Sequence, residues 1–401
     1  MDNYTLVLGS TLALSFFYII IAKICNRGNK KFPPGPSPWP IIGNFHLLGT
    51  KPHRSLVNLA QIYGPIMSLK IGQKTLVVIS SSTMAKQVLQ KQDLPFSTRF
   101  ITNALQAHNH CKFSVACLPV CPQWRTLRKI LNTNIFSSNR LDVNEHLRSQ
   151  KVKELIAYCA RCSQQGKALD ICQVVFKTNF NLMCNTLFSK DLADPFSDSK
   201  DLFSGGTDSP TTTLEWAMAE ILRQPEIMKK VQVELAEVVG KGKPVEESNI
   251  PKLPYLQFIV KETLRLHPPT PFLIPRKVEQ DVELCNYIIS KGSLVLVNVW
   301  AIGRDPTFWK DPLVFKPERF QSLEVDMRGQ DFELIPFGAG RRICPGLPLA
   351  LRLVPIMLGS LLNSFNWKLE ANIEPKDLDM EETFSFISSK AHPLRVIPSP
   401  L

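Results

Sequence analysis

Apolar positions recur at helical spacing along most of the chain and alternate in only a few short stretches. The 3.6-residue period predicts helices over residues 83–91, 124–131, 143–165, 174–187, 211–222, 225–239, 255–266 and about 349–365. Pro225 suits a first-turn position, and Pro268-Pro269 stops the helix before it. Pro355, inside the last helix, predicts a bend. Residues 66–80 alternate and predict a hairpin around Gly72-Gln73, and 282–289 and 293–299 each predict a strand. Residues 201–206 form a break, and 305–340 show no regular pattern. No repeat or low-complexity run is present, so the fold class is mainly α with a small β part.

The start of the chain has its own pattern. Residues 3–22 carry no formal charge, and about 20 residues at about 1.5 Å rise span the hydrocarbon thickness. Lys23, Arg27, Lys30 and Lys31 follow, which places the body on the cytosolic side. The rival is a cleaved secretory signal, but there is no basic segment before the apolar run and no small-residue cleavage site after it. Residues 1–31 are therefore expected to be a membrane anchor with a basic flank, 32–38 a stiff proline-rich hinge, and 39–401 the globule.

Composition narrows the class. The 401 residues are 44% hydrophobic and 20% charged, which excludes a disordered chain, a collagen-like repeat and a polytopic membrane protein. Thirty-one prolines against 19 glycines imply many sharp stops. Ten cysteines are too few for a disulfide scaffold and suit a reducing compartment. The net charge of +12 comes with no nucleic-acid motif, and fits an anionic membrane surface instead.

One stretch concentrates the chemistry: Phe337-Gly338-Ala339-Gly340-Arg341-Arg342-Ile343-Cys344-Pro345-Gly346. Glycines let backbone approach a flat ligand. Backbone N–H groups at the start of the following helix favour a negative group, so the loop can stabilise a thiolate. Such a thiolate suits haem iron, and Arg342 can pair with a haem propionate. The competing reading is an ordinary buried cysteine at a helix start. The spacing Phe337-x-x-Gly340-x-Arg342-x-Cys344-x-Gly346 resembles the haem-ligand signature of the cytochrome P-450 family.

Four further segments match that family in order: the Pro33-Pro34-Gly35-Pro36 hinge, Trp124-x-x-x-Arg128, Glu262-Thr263-Leu264-Arg265 and Pro317-Glu318-Arg319-Phe320. The surrounding wording is similar to plant microsomal members of the geraniol 8-hydroxylase-like group. The resemblance implies heme b with iron bound by Cys344. It places Trp124, Arg128, Arg276, Phe337 and Arg342 around the cofactor, and makes Glu262, Arg265 and Arg319 a structural triad. It implies electrons from NADPH through the cytochrome P-450 reductase, whose acidic face would meet Arg128, Lys129 and Arg341.

The chain departs from the family in two places. The oxygen-activating motif appears as Gly205-Gly206-Thr207-Asp208-Ser209-Pro210, with serine where threonine is usual and a proline that a continuous helix would not tolerate. Asp208 and Ser209 are the candidate catalytic pair for proton delivery. Roughly ninety or more family residues have no counterpart between Lys200 and Asp201, so the chain reads as internally truncated there. The helices over the haem and the first half of the long central helix are then lacking. In that case Ser209 becomes an N-cap and Pro210 a first helical residue. Cys117 stands where relatives often have tryptophan, beside the expected substrate loop 99–116 with His108, His110 and Cys111. Cys159 and Cys162 read as one face of an ordinary helix.

The sequence therefore predicts a monooxygenase that is anchored in the endoplasmic reticulum membrane with its body cytosolic. It inserts one atom of O2 into an apolar small molecule, in the family a terpenoid of secondary metabolism. The alternative is a non-catalytic or unstable truncated haem-binding variant.

Overall fold

The computed structural model describes Thr11, residues 32–193 and residues 207–401. The expected anchor (Thr11 apart), the junction at Lys200 and Asp201, and Gly205-Gly206 lie outside the described residues. The helices are α1 (Pro52–Tyr63), α2 (Pro122–Ile130), α3 (Glu145–Gln164), α4 (Ile171–Phe188), α5 (Asp208–Arg223), α6 (Pro225–Val238), α7 (Pro254–Leu266) and α8 (Leu347–Ser364). Each expected helix forms to within a few residues of its ends, except that 83–91 divides into an α-turn, Ser82–Lys86, and a π-turn, Gln87–Lys91.

The alternating hairpin forms as β1 (Ile66–Ile71) and β2 (Lys74–Ile79), with Ile66 opposite Ile79 and Gly72 at φ +58° in the turn. Three short strands, β3 (Thr98–Arg99), β4 (Arg276–Lys277) and β5 (Leu294–Val297), extend it in the order β1-β2-β5-β4-β3. Strand alternation assigns the two faces. Met67, Leu69, Leu76 and Val78 pack with Leu56 of α1, while Ile66, Val77 and Ile79 pack with Val88, Leu89 and Phe96. Both faces are therefore covered. The proline-rich segment lies along this sheet, where the Pro34 carbonyl accepts from the Ser68 N–H at 2.7 Å. A Cβ on Gly35 would stand 1.8 Å from the Ser68 carbonyl oxygen, so only glycine fits that approach.

The larger core is helical and joins α3, α4, α5, α7 and α8. Every residue of α5 from Thr211 to Leu222 is buried, the mark of a helix enclosed on all sides. Cys159 and Cys162 are buried on α3 as one helix face. Among the described residues, α8 is long and apolar enough to cross a membrane, but most of it is buried in this core.

Two expectations are corrected. Residues 282–289 are not one strand but a tight hairpin, Val282–Leu284 against Tyr287–Ile289, because Cys285 and Asn286 take positive φ. Ser209 is not an N-cap. Thr207 holds that position and Ser209 lies inside the first turn of α5. Pro210 is accommodated because the first N–H groups of a helix have no intrahelical partner to lose.

The Glu-x-x-Arg helix is α7. Arg265 Nε donates to Glu262 Oε2, and Arg265 Nη2 to Glu262 Oε1, both at 2.7 Å. Arg319 Nε reaches Glu262 Oε1 at 3.0 Å. The other Arg265 donors end on the carbonyls of Gly303, Pro312 and Val314. The triad thus ties α7 to the irregular segment that leads into the cysteine loop.

Candidate active site

The loop from Phe337 to Gly346 is held at both ends. The Cys344 N–H donates to the Phe337 carbonyl at 3.0 Å, and α8 begins at Leu347. Gly338 and Gly340 adopt φ +70° and +66°. At Gly340 a Cβ would lie 1.9 Å from the Leu89 carbonyl oxygen, so the loop presses against the π-turn. Arg341 pairs with Asp93 at 2.6 Å across the same contact.

This loop walls a cavity of about 380 Å³, within the range of small-molecule sites. The sequence candidates Trp124, Arg128, Arg276, Phe337, Arg342 and Cys344 all line it. Ser209 lines it too, while Asp208 is not among the lining residues. The Trp124 indole N–H donates to the Val115 carbonyl at 3.0 Å, and the Arg342 guanidinium lies 4.6 Å over its ring. Arg342 also donates to the carbonyls of Ser97, Val115 and Leu118, which organises the 97–118 loop over the cavity.

Arg99 was not a sequence candidate beyond marking the start of a loop, and it belongs with this group. It pairs in register with Arg276 across β3 and β4. Among the described residues no aspartate or glutamate lines the cavity, yet four arginines do. Burial and the neighbouring guanidiniums lower the pKa of Arg99 well below its usual range, and those of Arg276 and Arg342 to about 10. Buried Nε atoms of Arg99 and Arg276 have no hydrogen-bond partner. Such a cradle calls for a dianion, and the two carboxylates of a haem fit it.

At the sulfur, burial pushes the Cys344 thiol up, while the Gly346 and Leu347 N–H groups and the Arg128 guanidinium favour the thiolate. The backbone donors anticipated from the sequence are therefore present, and desolvation opposes them. Arg128 is turned inward onto the Ile343 carbonyl. Of the three cations expected on the cysteine-side surface, Arg128 thus faces the cavity, Arg341 is engaged with Asp93, and Lys129 is exposed.

Comparison with known proteins shows the family. The family model described as Cytochrome P450 matches residues 33–199 and 197–394, in two segments that meet at the suspected junction. Geraniol 8-hydroxylase of Catharanthus roseus is 51% identical, with 100% of both chains covered. Geraniol 8-hydroxylase of Swertia mussotii is 50% identical over 98% of this chain and 99% of its own. Geranylhydroquinone 3''-hydroxylase of Arnebia euchroma is 42% identical over 100% and 99%. The first alignment runs over 495 positions against 401 residues here, so about 94 positions have no counterpart in this chain. With the model matched along nearly its whole length, this shortened chain belongs to the cytochrome P450 family, whose cofactor is a haem with its iron on a cysteine thiolate.

Proposed function

We propose that the chain is a haem-thiolate monooxygenase acting on an apolar small molecule of terpenoid type, with electrons passed from NADPH by a reductase. The observation that carries this reading is the cavity shared by Cys344 and four arginines, with no carboxylate side chain among its described lining residues. Bound there, the haem supplies O2 binding and the oxygen-insertion chemistry. In this reading Cys344 would hold the iron. Arg99, Arg128, Arg276 and Arg342 would hold the propionates, the Trp124 ring would back the Arg342 guanidinium, and Phe337 would line the ring's pocket. Ser209 and Asp208, at the start of α5, pass protons toward the cavity. The terpenoid class is supported by relatives named for geraniol and geranylhydroquinone.

Membrane attachment is part of the same proposal. Phe32, Trp39, Ile41, Ile42 and Phe45 are exposed, Ile41 at 92%, in the segment that follows the expected anchor and its basic flank. Aromatic and aliphatic side chains in that position suit the headgroup boundary of the endoplasmic reticulum membrane.

The test is the reduced carbon monoxide spectrum of the purified chain, together with product formed per NADPH consumed. A thiolate-type spectrum that disappears in Cys344→Ser supports the assignment. An unchanged spectrum in that variant overturns it. The missing positions favour a second reading, a haem-binding chain without turnover, because a site with less covering excludes water less well. A normal spectrum with NADPH consumed and no product identifies that case.

A further inference from the structure

Glu215 stands in the middle of α5, away from the cavity, and is 2% exposed. Its Oε1 accepts from the Leu394 N–H at 3.0 Å, and among the described residues no cation is paired with it. At the start of α4, an oxygen of Asp170 and the Cys172 sulfur lie within 4.8 Å of a Glu215 oxygen. Asp170 also caps α4, accepting from the Gln173 N–H at 3.0 Å. Lys390 approaches from the Ser388–Lys390 strand. It is 6% exposed, its Nζ lies 5.2 Å from the Trp216 ring centre, and it donates to the Asp379 carbonyl. Lys390 in turn faces Asp379 and Glu220, and Asp379 pairs with His392 at 2.6 Å. The other described elements packed on α5 bring no charge that bears on Glu215.

An acid buried beside a second acid, without a paired cation, holds its proton. Burial above all, and then Asp170, push the Glu215 carboxyl up to about 7, against the Leu394 N–H and Lys390. The segment that meets Glu215 also leads to the cavity. The Ser388 N–H donates to the Pro269 carbonyl at 2.8 Å, and the Thr212 hydroxyl of α5 donates to the Ser388 carbonyl at 3.3 Å. The Ser388–Lys390 strand pairs with Glu382–Phe384, and Phe386 in the turn between them lines the cavity while 63% exposed. Residues 388–394 thus touch the buried acid and root the hairpin that carries Phe386.

We infer that Glu215 is a buried proton switch: neutral, it lets residues 388–394 seat on α5, and ionised, it unseats them to reach water, which moves Phe386 and loosens the cavity's hold on apolar ligands. The ligand part rests on the proposed reading of the cavity as the haem and substrate site. Below the ordinary glutamate value near about 4.3, the acid is neutral in the seated and the opened chain alike, and the seating is at its firmest. Above that value the opened chain releases the proton first, so seating weakens as pH rises from about 4.3 to about 7. A ligand that prefers the seated hairpin is therefore bound less tightly at high pH, by reciprocity.

The test compares the haem-loaded wild type with Glu215→Gln, which keeps the Leu394 contact, at pH 5.5 and 8.5, a range in which Glu382 stays ionised. Hydrogen exchange over residues 388–394 is read at each pH. The ratio of wild-type to variant exchange is expected to rise about tenfold from pH 5.5 to 8.5. Asp170→Asn, which keeps the helix cap, should shrink the rise, and His392→Asn should leave it unchanged. Naphthalene, an apolar probe with no ionisable group, should bind the wild type about fivefold more weakly at the higher pH, and Glu215→Gln within about twofold at both. A ratio that stays constant with pH overturns the switch, as does a rise that disappears in His392→Asn. A rising ratio with naphthalene affinity independent of pH overturns the link to Phe386. A rising ratio with no naphthalene bound at either pH supports the switch and counts against the cavity reading alone.

Discussion

Arg99 and Arg276 are register partners on adjacent strands, 6% and 3% exposed, and among the described residues no carboxylate side chain lines the cavity they share. Like charges directly opposite on a sheet repel. Both guanidiniums are held below their usual pKa, chiefly by burial, with the charges of Arg276 and Arg342 adding at Arg99 and that of Arg342 at Arg276. The pair makes sense only around an anion, so the protein without its cofactor carries a built-in electrostatic cost at this site.

That cost gives opposite signs in two states. Replacing Arg99 by Met relieves the repulsion, and the haem-free chain should gain about 1 kcal/mol in urea unfolding. The haem-loaded chain should instead lose its cofactor about tenfold faster to a competing apoglobin, because one propionate contact is gone. Equal loss of stability in both states would show that Arg99 acts by packing and not by charge.

The cysteine loop depends on two glycine positions for its path. Gly340→Ala would set a methyl carbon 1.9 Å from the Leu89 carbonyl oxygen and force φ +66° on a residue with a Cβ. The left-handed conformation alone costs about 1–2 kcal/mol, and the overlap adds to it. The variant is expected to retain the far-ultraviolet helix signal while losing most bound haem, measured by pyridine haemochrome. Full haem content in Gly340→Ala would show that the loop can shift off the Gln87–Lys91 turn.

Much of this was readable from residue patterns. Helices with a continuous apolar stripe and the 66–79 hairpin follow from local periodicity, and the cysteine loop follows from its glycine spacing. Arg99 was not legible as a site residue, because it owes its role to a distant partner. Arg99 lies opposite Arg276, 177 positions along the chain, on strands only two residues long. The strands Phe365–Leu369 and Arg395–Pro400 were missed for the same reason, since their pairing is non-local and carries two prolines. The placement of Thr207, not Ser209, at the α5 cap was decided by tertiary packing around a helix that is buried on every side.

Glu262 holds together more than one ion pair. Its two oxygens accept from Arg265, Arg319 and the Lys316 N–H, and all three charged side chains are nearly inaccessible. Removing the carboxylate leaves two buried guanidiniums facing carbonyls only. Glu262→Ala should therefore lose about 3–5 kcal/mol, enough to leave most of the chain insoluble at 37 °C. Double replacement, Glu262→Leu with Arg265→Met, should recover part of that loss by removing uncompensated charge. The check is soluble yield and urea midpoint for both variants, and no recovery in the double variant would count against a charge origin.

A second buried acid predicts the response to pH. Burial alone would raise the Glu382 carboxyl, but hydrogen bonds and charge from His53 and Arg54 outweigh it and hold the pKa at about 2. Above the ordinary glutamate value near about 4.3, the group is ionised in folded and unfolded chains alike, and the network contributes fully. As pH falls below that value the unfolded chain takes up the proton first, so stability is lost between about pH 4.3 and 2. The full contribution is about 3 kcal/mol. Glu382→Gln should therefore be less stable than wild type by about that amount at pH 6, and the gap should close as the buffer approaches pH 2. Urea midpoints of the two chains at pH 6, 4 and 2.5 measure it, and a gap that stays constant across the three would show that the carboxylate's charge contributes nothing.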